Sequence, residues 1–363
     1  MTVTLEQILG FENMLKVMAT PFGGVPNVWG PEFLTIKEPG IVGDTATWLE
    51  APNSRQTAPT TNYGSASRRL NQQSTVTRQA KCIHSYTNMV HQMPVLTALR
   101  NYEQPTVQAR GRQYIDFQTV EAQRKYTNLR ISAITSAFRY GAIYFDAAGN
   151  LLPTSSGATL TVNFNVPANN QNQLNSAISA AWSTAGTDIL NDLLTIQLRA
   201  VQGSGLPLTR AYYGSSIPHY LAENTAIANL LDSDAMLASQ IGMGKIPANF
   251  GFEGLRWIPL HTAFFEDAAG DNQTWFPSDF VVFMPEPSAA WYGMIEGSFE
   301  VPDGALSIRG TAADCTSDMR SITGMGTYAK LEDDPPGIKQ FFVDTFLPAL
   351  KVPSAIYIAD TVA

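Results

Sequence analysis

The sequence predicts an α+β protein organised around one long helix, with straps that cannot bury themselves. Three observations carry that prediction. Residues 116–140 repeat apolar side chains at helical spacing. Much of the first ninety residues is proline-, glycine- and small-polar-rich, with bulky residues spaced along it. The second half mixes helical patterns with short apolar strands.

The helix reads DFQTVEAQRKYTNLRISAITSAFRY. Phe117, Val120, Tyr126, Leu129, Ala133 and Ala137 recur with period 3.6, with Ile131, Ile134 and Phe138 beside them. Asp116 suits the N-cap, Arg139 the last turn and Gly141 the left-handed C′ position. At the usual rise per residue such a helix is roughly 36 Å long.

Taken in order, Thr4–Ala19 reads as a short amphipathic helix, with Thr4 and Gln7 at capping-box spacing. Pro21, Gly23 and Gly24 end it. An irregular arm follows, with Phe22, Trp29 and Phe33 among prolines and glycines; it needs a surface to lie on, its own subunit's or a neighbour's. Residues 34–47 read as one or two strands. From Trp48 to Lys81 the hydrophobic content drops away, over a length beyond that of an ordinary loop. Flanking strands near 41–49 and 74–89 make it a two-stranded arm ordered by another subunit. After Gly141, AIYF and ATLTVNFNV form a hairpin, with Leu160, Val162, Phe164 and Val166 on one face. Thr187–Gln202 reads as a helix ended by Gly203, and Ser216 with Pro218 starts a short one. LRWIPL, DFVVFMP, WYGMIEG, KQFFVDTFLP and SAIYIADTV are strands, the last closing the chain.

At 363 residues the chain has room for two cores. Only 15% of residues are charged, replaced by neutral polar groups that suit a surface packed against copies of itself. Charge is unevenly placed. Residues 51–140 hold twelve basic and three acidic side chains, net +9 within a chain of net −8. Such a chain can pair a basic arm with a neighbour's acidic body or turn it to nucleic acid. Two cysteines, Cys82 and Cys315, make no disulfide framework. Neither a signal peptide nor a membrane span is expected, so the protein is expected to be soluble and made inside the cell.

Catalytic chemistry has little to stand on. No GxSxG elbow occurs, and His84, His91, His219 and His261 sit beside no serine of nucleophile type. Gly242–Lys245 looks like the end of a phosphate loop, but Ile246 replaces the magnesium-binding hydroxyl. Cys82, His84 and His91 fit no zinc spacing, and Glu332–Asp334 reads as a solvated turn. The expectation is therefore a structural protein, not an enzyme, with no metal and no cofactor.

The order of parts resembles the major capsid protein of tailed bacteriophages of the lambda type, the capsid protein E family. The resemblance runs over essentially the whole chain. It is sharpest in WFPSDFVVFMPEPSAAWYGMIEG and in FFVDTFLPALKVPSAIYIADTVA. It implies the tailed-phage major capsid fold, shared with encapsulins. Residues 1–40 would be the N-terminal arm and 41–90 the E-loop. Residues 91–182, with spine helix 116–140, would form the P-domain, 183–331 the A-domain, and 332–363 strands returning to the P-domain. The function implied is self-assembly through hexamers and pentamers into an icosahedral head enclosing double-stranded DNA, maturing from a procapsid. Implied partners are a separate scaffolding protein, a portal and a decoration protein, with assembly in the bacterial host cytoplasm and residence in the virion. Phe22, Trp29, Phe33 and Trp48 are expected as apolar anchors between subunits, and Arg55, Arg68, Arg69 and Arg78 as their charged companions. Arg124, Lys125 and Arg130 are expected to face DNA. The alternatives are an encapsulin-like nanocompartment shell, an intracellular hydrolase, and last a nucleic-acid-binding protein.

Overall fold

A computed structural model describes residues 29–30, 32–38, 41–50, 75–91, 105–147, 149–171, 178–231, 241, 245–248, 250–260, 264–266, 272–274, 276–302, 319–333 and 336–362. The expected helix at 4–19 lies outside the described residues, as does loop 51–74.

Along the chain, a short helix at Glu32–Thr35 precedes β1 (Ile41–Val42), β2 (Thr45–Glu50), β3 (Val76–Lys81) and β4 (Ile83–His91). The spine helix spans Pro105–Tyr140. It starts eleven residues before the expected Asp116, and at the usual rise it is roughly 54 Å long. Proline is at home at a helix's first position, where no N–H is needed. The polar run Gln108–Gln113, with Gly111 inside it, hid the extension. The far end is as expected: Gly141 follows the last turn at φ +63. The buried stripe of the first half also differs from expectation. Ile115, Thr119, Ala122 and Tyr126 face inward, while Phe117 is 58% exposed.

After the spine helix come β5 (Ala142–Phe145), β6 (Leu151–Leu152) and β7 (Leu160–Asn163), a three-stranded sheet in the order β6-β5-β7. Val162, Phe164 and Val166 are buried as expected, but Leu160 is exposed. A helix at Ile189–Ser204 is capped by Asp188, whose side chain accepts from Asn191 N, and ends at Gly205 with φ +77. Gly203, the expected terminator, lies inside its last turn. Then follow β8 (Arg210–Tyr213), helices Ile217–Glu223 and Thr225–Leu231, β9 (Arg256–Pro259), β10 (Phe264–Glu266), β11 (Asn272–Thr274) and β12 (Phe280–Met284). The chain closes with β13 (Tyr292–Pro302), β14 (Met319–Thr323), β15 (Gly326–Asp333), β16 (Pro336–Leu350) and β17 (Tyr357–Asp360).

Two sheets organise these strands. In the larger, β16 pairs antiparallel with β4, β13 and β15; β14 pairs with β13, and β1 joins β13 in parallel. In the smaller the order is β17-β12-β8-β9, with β8 and β9 parallel. Strand pairing crosses the domain bounds expected from sequence. β17 returns to β12, not to the sheet of β16. β13, β14 and all but the last two residues of β15 fall within the expected A-domain span yet pair into the sheet of β16. Strand pairing across sequence decides membership, and no local pattern encodes it.

There are two large apolar cores. One gathers Trp29, Phe33, Phe138, Trp291, Tyr292, Phe346 and Leu350, and also takes in Tyr212, Val282, Met284 and Ile358 from one face of the smaller sheet; the other gathers Trp182, Leu193, Ile196, Tyr213, Leu221 and Phe283. Phe138 is the hub of the first, with ring centroids 5.1 Å from both Trp29 and Phe33 and 5.6 Å from Tyr292. Phe138→Ala is expected to cost about 3–5 kcal/mol. Guanidinium unfolding of unassembled protomers, followed by tryptophan fluorescence, measures that cost; an effect near zero would contradict this packing.

Candidate functional site

The spine helix is fastened to β16 by polar side chains at helical spacing. Strand alternation points Gln340, Phe342, Asp344 and Phe346 of β16 at the helix. Gln340 Nε2 donates to Thr119 Oγ1 at 2.9 Å, and its Oε1 lies 2.9 Å from His91 Nε2 of β4. Tyr126 OH donates to Phe342 O at 3.0 Å. Arg130 then grips Asp344 with two nitrogens, Nε at 2.8 Å and Nη2 at 2.6 Å. Its Nη1 donates to Glu296 Oε1 of β13 at 3.0 Å. Lys37, at the end of the N-terminal strap, donates to Glu296 Oε2 at 2.8 Å. Arg130 and Asp344 are buried, and the guanidinium also lies 5.1 Å from the Phe346 ring. Burial works to lower the Arg130 pKa, but the carboxylates of Asp344 and Glu296 overcome it and hold the group charged. Burial raises the pKa of the Asp344 carboxyl, and the Arg130 charge opposes that rise. The arrangement is a network of two cations and two anions joining strap, helix and two strands, buried at Arg130, Asp344 and Glu296 and open to solvent at Lys37.

Arg130 is thus a core residue, and the expectation that it faces DNA is corrected: its partner Asp344 lies 214 positions away in the chain. Arg124 sits on the helix flank in a pair with Glu121, Nη1 to Oε1 at 2.6 Å. Lys125 is exposed.

The strap residues are corrected in the same sense. Trp29 and Phe33 are fully buried in their own protomer. Trp29 Nε1 donates to Thr135 Oγ1 at 2.8 Å, Tyr212 OH donates to Trp29 O at 2.8 Å, and Tyr292 OH to Phe33 O at 2.9 Å. At 0% exposure neither ring has a face left for a neighbour. Arg210 adds a second tie, with Nη2 donating to Glu32 Oε1 at 3.3 Å and Nε to Glu286 Oε2 at 3.2 Å. Trp48 is buried as well, against Phe164. Arg78 pairs with Glu50 across the arm, Nε to Oε2 at 2.6 Å. Phe22, Arg55, Arg68 and Arg69 lie outside the described residues.

Exposed apolar side chains occupy other places, which sequence reasoning passed over. Leu49 and Val76 flank the arm, Tyr114 and Phe117 lie on the spine helix, and Leu194 and Leu198 lie one turn apart on helix 189–204. The one available signal was Leu194 with Leu198, an i,i+4 pair offset from that helix's buried face.

A cleft of 610 Å³ opens at the root of the arm, lined by residues that include Asp44, Cys82, His84, Phe145, Phe299 and Thr345. It offers no activated nucleophile. Burial, reinforced by the Asp44 carboxylate, pushes the Cys82 thiol up to about 11. His84 Nδ1 lies 2.8 Å from Thr345 Oγ1, and His219 pairs with Glu223. Among the described residues no three His, Cys, Asp or Glu side chains gather as metal ligands.

A family model described as phage major capsid protein E matches residues 37–356. No curated protein sequence matches the chain. Among solved structures, a phage-related protein from Bordetella bronchiseptica aligns at TM-score 0.52 and 10% identity, over 96% of each chain. A structure from Gordonia phage Cozz aligns at TM-score 0.43 and 11% identity, over 94% of this chain and 91% of that one. The SrpI encapsulin complex of Synechococcus elongatus aligns at TM-score 0.39 and 10% identity, over 95% and 93%.

Removing Asp344 from beside the buried Arg130 leaves a charge stranded. Asp344→Asn is expected to lose about 3–5 kcal/mol, read from denaturant midpoints. The double change Arg130→Met with Asp344→Leu recovers most of that loss, because Glu296 keeps Lys37. The outer tie responds to acid. The hydrogen bond from Arg210 holds the Glu286 carboxyl below its usual range. Its contribution is complete above the ordinary glutamate value, about pH 4.3, and is lost as pH falls through the depressed one. Glu286→Gln therefore flattens the melting-temperature profile below that pH, which differential scanning fluorimetry detects.

Proposed function

Because the chain belongs to the phage major capsid protein E family, we propose that it closes through hexamers and pentamers into the icosahedral head that encloses double-stranded DNA. It is a structural major capsid protein with the tailed-phage capsid fold, and its place is the virion. The observation that carries this reading is the family match, which runs from the end of the strap through β16 to the threshold of β17.

On this reading the N-terminal arm reaches to about residue 40 and the E-loop from 41 to 90. The spine helix and the sheet of β16, apart from β1 and β4, make the P-domain, and the sheet of β12 with its helices makes the A-domain. Contacts between copies fall to exposed apolar groups, among them Leu49, Val76, Phe117, Leu194 and Leu198. Arg55, Arg68 and Arg69 meet acidic groups of an adjacent copy. Single exposed pairs are worth roughly 0–1 kcal/mol, and their repetition around closed rings makes a shell that can still correct errors. Lys125, with Arg124 beside it, faces packaged DNA in a sequence-independent, salt-sensitive contact. The net charge of −8 keeps that contact weak. A separate scaffolding protein, a portal and a decoration protein complete the partners, and assembly takes place in the host cytoplasm before expansion of a procapsid.

Electron microscopy with light scattering on the purified chain, alone and coexpressed with a scaffolding protein, tests this directly. Closed shells, or hexamers and pentamers that grow into them, are expected. A compact monomer or dimer that never assembles in either setting would sink the reading.

A further inference from the structure

The two-stranded arm poses a mechanical problem. Among the described strands, β2 and β3 pair only with each other. A lone two-stranded ribbon is marginal in water, and nothing in its own hydrogen bonds fixes its angle to a body. That angle has to come from contacts at its root. The backbone supplies one: Gly43, just before β2, forms an antiparallel bridge with Ser298 of β13, while Cys82 N donates to Asp44 O at 2.6 Å and closes the ribbon's base.

Side chains supply two more, and both land on one short loop. Trp48 of β2 lies against Phe164, with ring centroids 6.0 Å apart. Arg78, directly opposite Trp48 in the ribbon register, reaches Asn165. With its amide oxygen toward the guanidinium, Asn165 Oδ1 accepts from Arg78 Nη2 at 2.7 Å and Nη1 at 3.2 Å. The donors around that amide dictate its orientation.

Asn165 has an unusual backbone. Its φ is +53, and no other described residue except glycine has a positive φ. Asparagine tolerates this region better than most side chains, and a strained position of this kind persists only where its surroundings hold it. The turn is held locally, since Asn165 N donates to Asn163 Oδ1 at 2.7 Å. The same loop rests on the end of the spine helix. Phe164 N donates to Gly141 O at 2.9 Å, and a Cβ at Gly141 would come within 2.7 Å of Val166. Three consecutive residues, Phe164 to Val166, thus touch the helix terminus and grip the arm.

We propose that Asn165 is a positioning residue for assembly. With Phe164 it clamps the arm at a set angle to the spine helix, and so sets where one copy's arm meets a second copy of this chain. The inference rests on the assembly reading above and adds the residues that govern shell geometry within it.

Two substitutions separate the clamp from the turn. Asn165→Gly removes the amide while easing the backbone, so the protomer keeps its fold. Asn165→Asp keeps the side-chain oxygen and turns the contact into an ion pair with Arg78. Parent and variants are assembled identically, and shell diameters are measured by electron microscopy. Hydrogen-exchange mass spectrometry on unassembled protomers reads amide protection in β2 and β3. The Gly variant is expected to exchange several-fold faster in both strands and to broaden or shift the diameter distribution; the Asp variant is expected to match the parent in both. A Gly variant with parental exchange and parental diameters overturns the proposal. Faster exchange with unchanged diameters overturns it too, because the arm's angle would then not govern the shell. Failure of the parent to assemble counts against the assembly reading alone, since the exchange comparison still decides whether Asn165 clamps the arm.

Discussion

The bidentate grip of Arg130 on Asp344 is the constraint from which the rest of the fold takes its register. A buried ion pair is a poor source of net stability, because desolvation of both groups cancels most of the attraction. Its use here is positional. A guanidinium fork accepts a carboxylate in few geometries, and this one has a second carboxylate, Glu296, on its remaining edge. Sliding the spine helix along β16 by one turn would strand Arg130 and Asp344 together, with Lys37 alone left on Glu296. Helix, β16, β13 and the Lys37 end of the strap therefore share one arrangement.

Around that fixed centre the chain divides into what is buried and what is left reaching. Segment 29–36 looks like a loose strap by composition, yet aromatic rings and hydrogen bonds pin it inside its own protomer. The β2–β3 ribbon is the opposite case: regular in hydrogen bonding, attached to the body only near its root, and apolar at Leu49 and Val76. A capsid protein needs both kinds of element. The first keeps a protomer in one shape while copies add, and the second extends beyond that shape. The low charge content fits a surface largely covered once copies are in place.

Much of this was legible in the sequence where the signal is periodic. The C-terminal half of the spine helix, its Gly141 stop, and β12, β16 and β17 all follow from apolar spacing. The first eleven residues of the helix were hidden because their pattern is polar and begins with Pro105, which reads equally as a loop. Trp29 and Phe33 were legible as anchors but not as to whose surface they anchor, because an aromatic ring between prolines fits a neighbour's pocket as well as its own. Arg130 looked like one of several basic residues on a solvated helix. Its partners are Glu296 and Asp344, 166 and 214 positions away, and no local pattern connects them. Asn165 carried no signal at all, since a left-handed backbone is a property of the turn and not of the residue.

The placement of β16 also has a consequence in time. Ribosomes deliver β4, the spine helix and β13 long before the strand that joins them, which begins only at Pro336. Until then His91 lacks Gln340, Tyr126 lacks the Phe342 carbonyl and Arg130 lacks Asp344. Contacts that span most of a chain form slowly, and a waiting apolar face is exposed to its neighbours meanwhile. The vulnerable interval is the one between synthesis of the helix and arrival of its strand. Nascent-chain protection in that interval would limit yield before any shell contact is made.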